Sequence, residues 1–218
     1  MTAGTSIPVV FAPVFDPVKS GIVGSLVKTG GNLTGIKAGG HSAKALDWFL
    51  KVVPDIKNIF VPLHSKNKAT VQSLQGLQQA AGKVGISVTV QEVSTKKELA
   101  LLFKNLTDEI DALWLLNSHF LVTHIKLFVD TAIQYKLPLG SNTSQVDDGV
   151  MVSYGQNAIK TGELAADLTH KIFQGRPPAS LPVETTDFFL GINLKTADSI
   201  GIDISDDILH VADVIIRP

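Results

Sequence analysis

Short hydroxyl and amide side chains recur in this chain just where an apolar run gives way to a helical pattern. Four such places stand out: Leu63-His-Ser-Lys-Asn67, Ser94-Thr95, Asn117-Ser-His-Phe120 and Gly140-Ser-Asn-Thr-Ser144. Each reads as a strand-to-helix turn on the carboxyl edge of a parallel sheet, the edge at which open α/β sheets bind ligands. Helix starts offer unpaired N–H groups and the positive end of the helix dipole, which favour a carboxylate. A single acid, Asp16 or Asp147, could pair with an ammonium group. Together these features suit a zwitterion such as an amino acid. Any one Asp, Ser, Thr or Asn before a helix reads first as a cap. The inference rests on several of them converging on one edge. The candidates from this argument are Ser65, Asn117, Ser118, Ser141 and Asn142, with Tyr154, which follows a strand and precedes Gly155 and could reach a cleft.

Other chemistries lack their signatures. The histidines are His41, His64, His119, His124, His170 and His210; His119 and His124 are five apart and share a helical face poorly. No HExxH or comparable spacing occurs, so no metal site is expected. His64 and His119 both fall in edge turns and could line a cleft, although surface or cap roles are the plainer reading. Gly140-Ser141 lacks the second glycine of a nucleophile elbow, and no Ser/His/Asp signature accompanies it. Asp147 and Asp148 are adjacent in a loop and precede Gly149, which reads as a turn. Gly30-Gly-Asn-Leu-Thr-Gly35 has neither the Lys-Ser/Thr pair of a Walker A loop nor a dinucleotide fingerprint; its glycines read as a helix stop and a hinge. No catalytic residue and no cofactor are expected.

The elements that must position these turns follow from periodicity. Pro8 to Val14 is a short valine-rich run bounded by prolines, read as a buried strand. Asp16-Pro17 is a helix-start signal, and Val18 to Lys28 carries apolar residues at helical spacing. Asn32 to Lys37 is β-branched and extended. Ser42 is expected to cap a helix through Val53, ended by Pro54. Strands are then predicted at 56–63, 86–93, 110–116, 137–139 and 150–153, with helices at 67–82, 95–105, 121–135 and 156–173. Thr95 to Glu98 has capping-box spacing. Strands alternating with helices of more than ten residues indicate parallel βαβ units, and strands apolar on both faces indicate helices on both sides. Trp114 lies within such a strand and is assigned to the core. After Pro178 the pattern changes to an extended segment, 181–190, and two short helices, read as belonging to no further βαβ repeat.

The chain has 218 residues, a net charge of -1 and 44% hydrophobic residues, enough for a sound core. Near-neutral, scattered charge argues against a nucleic-acid partner. Absence of cysteine excludes disulfides and thiol chemistry. No apolar run reaches the length of a membrane span. Met1-Thr-Ala-Gly-Thr-Ser6 has no basic region or apolar run of a signal peptide. The chain as it stands therefore reads as cytoplasmic, and as periplasmic or lipid-anchored outside the cell if a leader lies upstream.

The opening, Ile7-Pro-Val-Val-Phe-Ala-Pro-Val-Phe-Asp-Pro-Val18, Gly21-Ile-Val-Gly-Ser-Leu26 and Gly30-Gly-Asn-Leu-Thr-Gly-Ile36, resembles the substrate-binding proteins of ABC importers, in the subfamily associated with tryptophan and tyrosine uptake. So does the close, Leu181-Pro-Val-Glu184, Gly191-Ile-Asn-Leu-Lys-Thr-Ala197, Ile200-Gly-Ile202 and Ala212-Asp-Val-Ile-Ile216. The resemblance implies two α/β lobes that close on a small molecule, and adds Asp16, Asn32 and Thr34 to the candidate ligand contacts. Members usually carry further strand–helix units before the point where this sequence begins. The expected fold is therefore a periplasmic-binding-protein-like α/β fold, a doubly wound parallel-sheet lobe plus a partial second lobe. The expected bounds are 1–37 for the partial lobe and crossing segment, 38–178 for the full lobe and 179–218 for a return to the first. The expected function is capture of an aromatic or other amino acid for an ABC permease. The alternative is a truncated interaction or sensory module of the same fold, pairing as a homodimer through open strand edges.

Overall fold

A computed structural model describes residues 6–218. Residues 1–5, part of the opening stretch read for a leader, lie outside the described residues. In chain order the first elements are β1 (Val9–Val14), β2 (Leu33–Lys37), α1 (Ser42–Val52), β3 (Asn58–Leu63), α2 (Lys68–Lys83), β4 (Ser87–Glu92) and α3 (Lys96–Lys104). Then come β5 (Ala112–Leu115), α4 (His119–Thr123), α5 (Ile125–Tyr135), β6 (Leu139–Ser141), β7 (Val152–Gln156) and α6 (Ala158–Phe173). The last are β8 (Glu184–Thr185), β9 (Phe188–Asn193), α7 (Leu194–Ile200), α8 (Asp206–Val211) and β10 (Val214–Ile216). Among these residues no helix is long and apolar enough to cross a membrane.

The chain forms two compact units, residues 1–40 with 156–188 and residues 41–155 with 189–218. The larger unit holds a sheet of strand order β10-β9-β7-β6-β5-β3-β4. β4, β3 and β5 are adjacent and parallel, as the apolar runs at 56–63, 86–93 and 110–116 predict, and β5, β6 and β7 continue the parallel run. All four residues of β5 are buried, because helices cover both faces of the sheet. Trp114 is fully buried, its ring edge-on to Phe49 at 5.4 Å between centroids. Gly140 on β6 lies opposite Trp114 in the ladder, and a Cβ there would come within 2.7 Å of the indole and 2.9 Å of Phe49. Glycine at 140 is thus what lets the indole pack against the neighbouring strand.

The smaller unit holds a three-stranded sheet, β1-β2-β8, with parallel pairing throughout. α6 packs on β1 and β2. Its core is small: Ile36, Leu168 and Leu181 are buried, with Val10, Leu164, Ala165 and Ile172 packed around them. β1 and β2 approach closely at Gly35, where a Cβ would lie 2.1 Å from the Phe11 carbonyl oxygen.

Several expectations are corrected. The bounds 38–178 and 179–218 do not hold. α6 belongs with β1 and β2 because its apolar face covers them, and residues 189–218 join the larger sheet instead of returning to the smaller unit. That tail does form a further βαβ unit, since β9 and β10 are parallel neighbours with α7 and α8 between them. Residues 18–28 form no helix. One turn closes after Asp16, with Ser20 N–H donating to the Asp16 carbonyl at 3.0 Å, and Gly21 then adopts φ +69°, which ends it. The helix at 121–135 is broken at His124, whose Nδ1 donates to the Phe120 carbonyl at 2.8 Å, and α4 precedes the break. Ser42 is the first helical residue and His41 the cap position. Asn67 and Thr95 do cap: Asn67 Oδ1 accepts from Ala69 N–H at 2.8 Å and Thr95 Oγ1 from Glu98 N–H at 3.2 Å.

Trp114→Ala is expected to cost about 3–5 kcal/mol and Gly140→Ala about 1–3 kcal/mol, read as shifts of the urea midpoint. A change under about half a kcal/mol for both would show that the β5–β6 contact is loose. At α3, Glu98 Oε2 accepts from Ser94 N–H at 2.7 Å, and that bond holds its carboxyl below the ordinary value. Its contribution is therefore complete above the ordinary glutamate range and fades as pH falls through the lowered folded value. Hydrogen exchange of the α3 amides, corrected for intrinsic rates, should show fraying there in acid that Glu98→Ala produces already at neutral pH.

Candidate functional site

In the larger sheet the chain runs from β3 outward to β4 and then returns to the other side of β3 as β5. This reversal makes a switch point between β3 and β5, the place at which open α/β sheets take ligands beyond their carboxyl ends. The turn after β3 supplies His64 and Ser65, and the turn after β5 supplies Asn117, Ser118 and then Phe120. The two turns touch: the His64 and Phe120 rings stack with centroids 4.7 Å apart and planes 25° apart. His124 meets the Phe120 ring as well, at 4.7 Å and tilted by 46°. Thr70, in the first turns of α2, donates its hydroxyl to the Asn117 carbonyl at 2.8 Å.

Beside this switch point the turn after β6 is held by a buried polar cluster. Asn142 Nδ2 donates to Ser73 Oγ at 2.5 Å and, more weakly, to Ser42 Oγ at 3.4 Å. His41 Nε2 donates to the Asn142 carbonyl at 2.9 Å, which sets the proton on that nitrogen. Asn142 Oδ1 is buried and has no hydrogen-bond partner among the described residues. Ser141 Oγ bonds the Leu115 carbonyl at 3.0 Å and the Thr143 hydroxyl at 2.6 Å, and accepts from Thr143 N–H at 3.0 Å. Ser141 therefore ties β6 to β5. Tyr154 on β7 is half-buried, with its ring 6.4 Å from that of His41.

The structure thus gathers Ser65, Asn117, Ser118, Ser141 and Asn142 on the carboxyl edge of β3, β5 and β6. They differ in availability. Ser141 and Asn142 are buried and bonded to neighbours, Ser118 is buried at the start of α4, and Ser65 and Asn117 are exposed. The Ser65 hydroxyl is hydrogen-bonded to Glu92. Asp16, Asn32 and Thr34 lie in the smaller unit. Asp16 Oδ1 accepts from Lys19 N–H at 3.0 Å, Asn32 Nδ2 donates to the Ile7 carbonyl at 2.6 Å, and the buried Thr34 hydroxyl donates to the Leu181 carbonyl at 3.0 Å. Phe120 was not singled out by the sequence. Its only signal was position, two residues after Ser118 in a turn that the strand pattern had already placed.

Two depressions flank the larger sheet elsewhere, the first reaching Glu92 at the end of β4. One of about 390 Å³ runs beside β4 and α3, between residues such as Thr89, Gln91 and Leu101. The other, about 480 Å³, lies at the amino edge of the sheet among Val53, Ile110, Asp111 and Pro138. There the Asp111 carboxylate already accepts from the N–H groups of Lys57 and Asn58, both at 2.8 Å.

A family model described as ABC transporter substrate binding protein matches residues 1–216. The chain belongs to that family. A curated relative, the tyrosine-binding protein of Clostridioides difficile (strain R20291), is 27% identical over 186 residues, 85% of this chain and 54% of the relative. The chain thus spans about half the length of the curated relative it matches. A conserved domain protein from Vibrio cholerae O1 biovar El Tor superposes with a TM-score of 0.87 at 25% identity, over 98% of this chain and 73% of that one. The ABC domain in complex with L-Trp from Streptococcus pneumoniae also superposes with a TM-score of 0.87, at 24% identity, over 99% of this chain and 74% of that one. The family and these neighbours agree with the periplasmic-binding-protein-like α/β fold expected from the sequence.

Asn142→Ala removes the bonds to Ser73 and Ser42 and leaves a buried hydroxyl short of a partner. It should lower stability by about 1–3 kcal/mol, whereas Ser65→Ala on the exposed turn should stay within about half a kcal/mol. Equal thermal-melt shifts for the two would show that the Asn142 cluster is not what holds the β6 turn.

Proposed function

We propose that this chain is the substrate-binding part of an ABC importer and captures an amino acid, aromatic ones foremost, without making or breaking a bond. The observation that supports this most directly is the convergence of polar turns at the switch point between β3 and β5, the place where this sheet class takes its ligands. The relatives named for tyrosine and found with L-Trp point to the same ligand class. In this reading main-chain N–H groups of the turns at Ser65, Asn117 and Ser118 face the ligand carboxylate. Ser141 and Asn142 keep the neighbouring turn in place, and Tyr154 borders the site. Asp16, Asn32 and Thr34 enter as ligand contacts on the family resemblance. Capture proceeds by closure of the fold's lobes, which a ligand can bias only through higher affinity for the closed form. A permease is the partner, and the working compartment is outside the cytoplasm.

One observation favours a second reading. Among the described residues β1 pairs only with β2, and Ile7, shortly before β1 in the chain, is 69% exposed. An open edge with an exposed apolar residue beside it can pair with a second copy, as an interaction module would.

Titration calorimetry on the protein at its full natural length, with the twenty amino acids, tests the first reading. Heat with tryptophan or tyrosine, together with a fall in the radius of gyration in solution scattering, is the expected result. Silence with every amino acid would remove it, and a stable dimer by native mass spectrometry with no ligand would then favour the second.

A further inference from the structure

Resting on the ligand-capture reading, we infer that the stacked pair His64 and Phe120 is the element that selects an aromatic ring on the ligand, with the ring lying against the outer face of the His64 imidazole. Three observations carry this. The pair spans the switch point itself, His64 from the turn after β3 and Phe120 from the turn after β5, so it lies among the polar turns at Ser65, Asn117 and Ser118. The stack is one-sided at His64. One face of the imidazole lies on Phe120 at 4.7 Å and 25°, and no second ring meets His64 among the described residues. Phe120, by contrast, is met by both His64 and His124, and His124 is itself fixed by the 2.8 Å bond from its Nδ1 to the Phe120 carbonyl. The order of rings is therefore His124, Phe120, His64, with His64 at the end of the stack. His64 is half-buried, so the stack holds the imidazole while leaving part of it accessible.

Chemistry suits the arrangement to a planar aromatic guest. An imidazole braced from behind loses little freedom when a second ring stacks on it, and offset-stacked aromatic pairs gain beyond the area they bury. An aliphatic side chain gains no such stacking. The pair thus sorts ligands by ring, while the carboxylate and ammonium are handled elsewhere.

Proton NMR of the His64 ring in the full-length protein, with calorimetry alongside, tests this with L-tryptophan, L-leucine and free indole as probes. Binding of tryptophan or indole should move the His64 Cδ2 and Cε1 protons by ring current, and leucine should not. His64→Ala should weaken tryptophan binding about two- to ten-fold relative to leucine, and His64→Phe, which keeps a stack, should restore most of it. Tryptophan binding with His64 resonances unmoved and His64→Ala neutral would overturn this inference while leaving amino-acid capture intact. Indole shifting His64 while no amino acid binds would uphold the ring site and remove amino-acid capture. No shift from either aromatic probe would overturn the inference outright.

Discussion

Parallel pairing of apolar strands imposes the geometry on which the larger unit depends. Strands buried on both faces must be crossed by helices, every crossover returns the chain to the same end, and all carboxyl ends then lie on one edge. β3, β5 and β6 show this in residue detail: Phe60 pairs with Leu113, and Trp114 with Gly140. The indole lies against the neighbouring strand because residue 140 has no side chain, and Phe49 from α1 closes the contact edge-on. With that layer set, the polar residues following each strand come together although they stand far apart in the chain.

The polar residues at this edge divide into those that build it and those that face outward. Ser141, Asn142, Ser42, Ser73 and His41 form a buried network that fixes the β6 turn against the start of α1 and against α2. Buried polar groups carry a penalty unless bonded, so such a network stays in one arrangement once formed. Ser65, Asn117 and the His64–Phe120 stack lie on the outward side. A rigid inner layer with accessible groups on it is the arrangement a binding site needs to hold its geometry.

The smaller unit is built on a different scale. Three buried apolar residues and a ring of half-buried ones hold α6 on a three-stranded sheet, and close approach at Gly35 brings β1 onto β2. Its polar candidates are engaged locally: Asp16 in a turn, Asn32 with Ile7, Thr34 with Leu181. The chain matches the family along nearly its whole length while spanning about half of its curated relative.

Patterning in the sequence alone specifies the alternation of strands and helices, the parallel sheet, the burial of Trp114 and the positions of the turns at Ser65, Asn117, Ser118, Ser141 and Asn142. These follow from periodicity and from turn chemistry, which are local. Its family resemblance, carried by the opening and closing segments, agrees with the family match. It misjudged residues 18–28, where apolar spacing suggested a helix but Gly21 at positive φ ended the first turn. It misassigned α6 and the tail, because an amphipathic helix or an extended segment does not state which sheet it will cover. Long-range packing is what adds β9 and β10 of residues 189–218 to the larger sheet, makes Asn142 a buried support, and brings Phe120 to His64 across the switch point. Each is a contact between residues distant in sequence, and side-chain contacts of that kind leave no periodic trace in the chain.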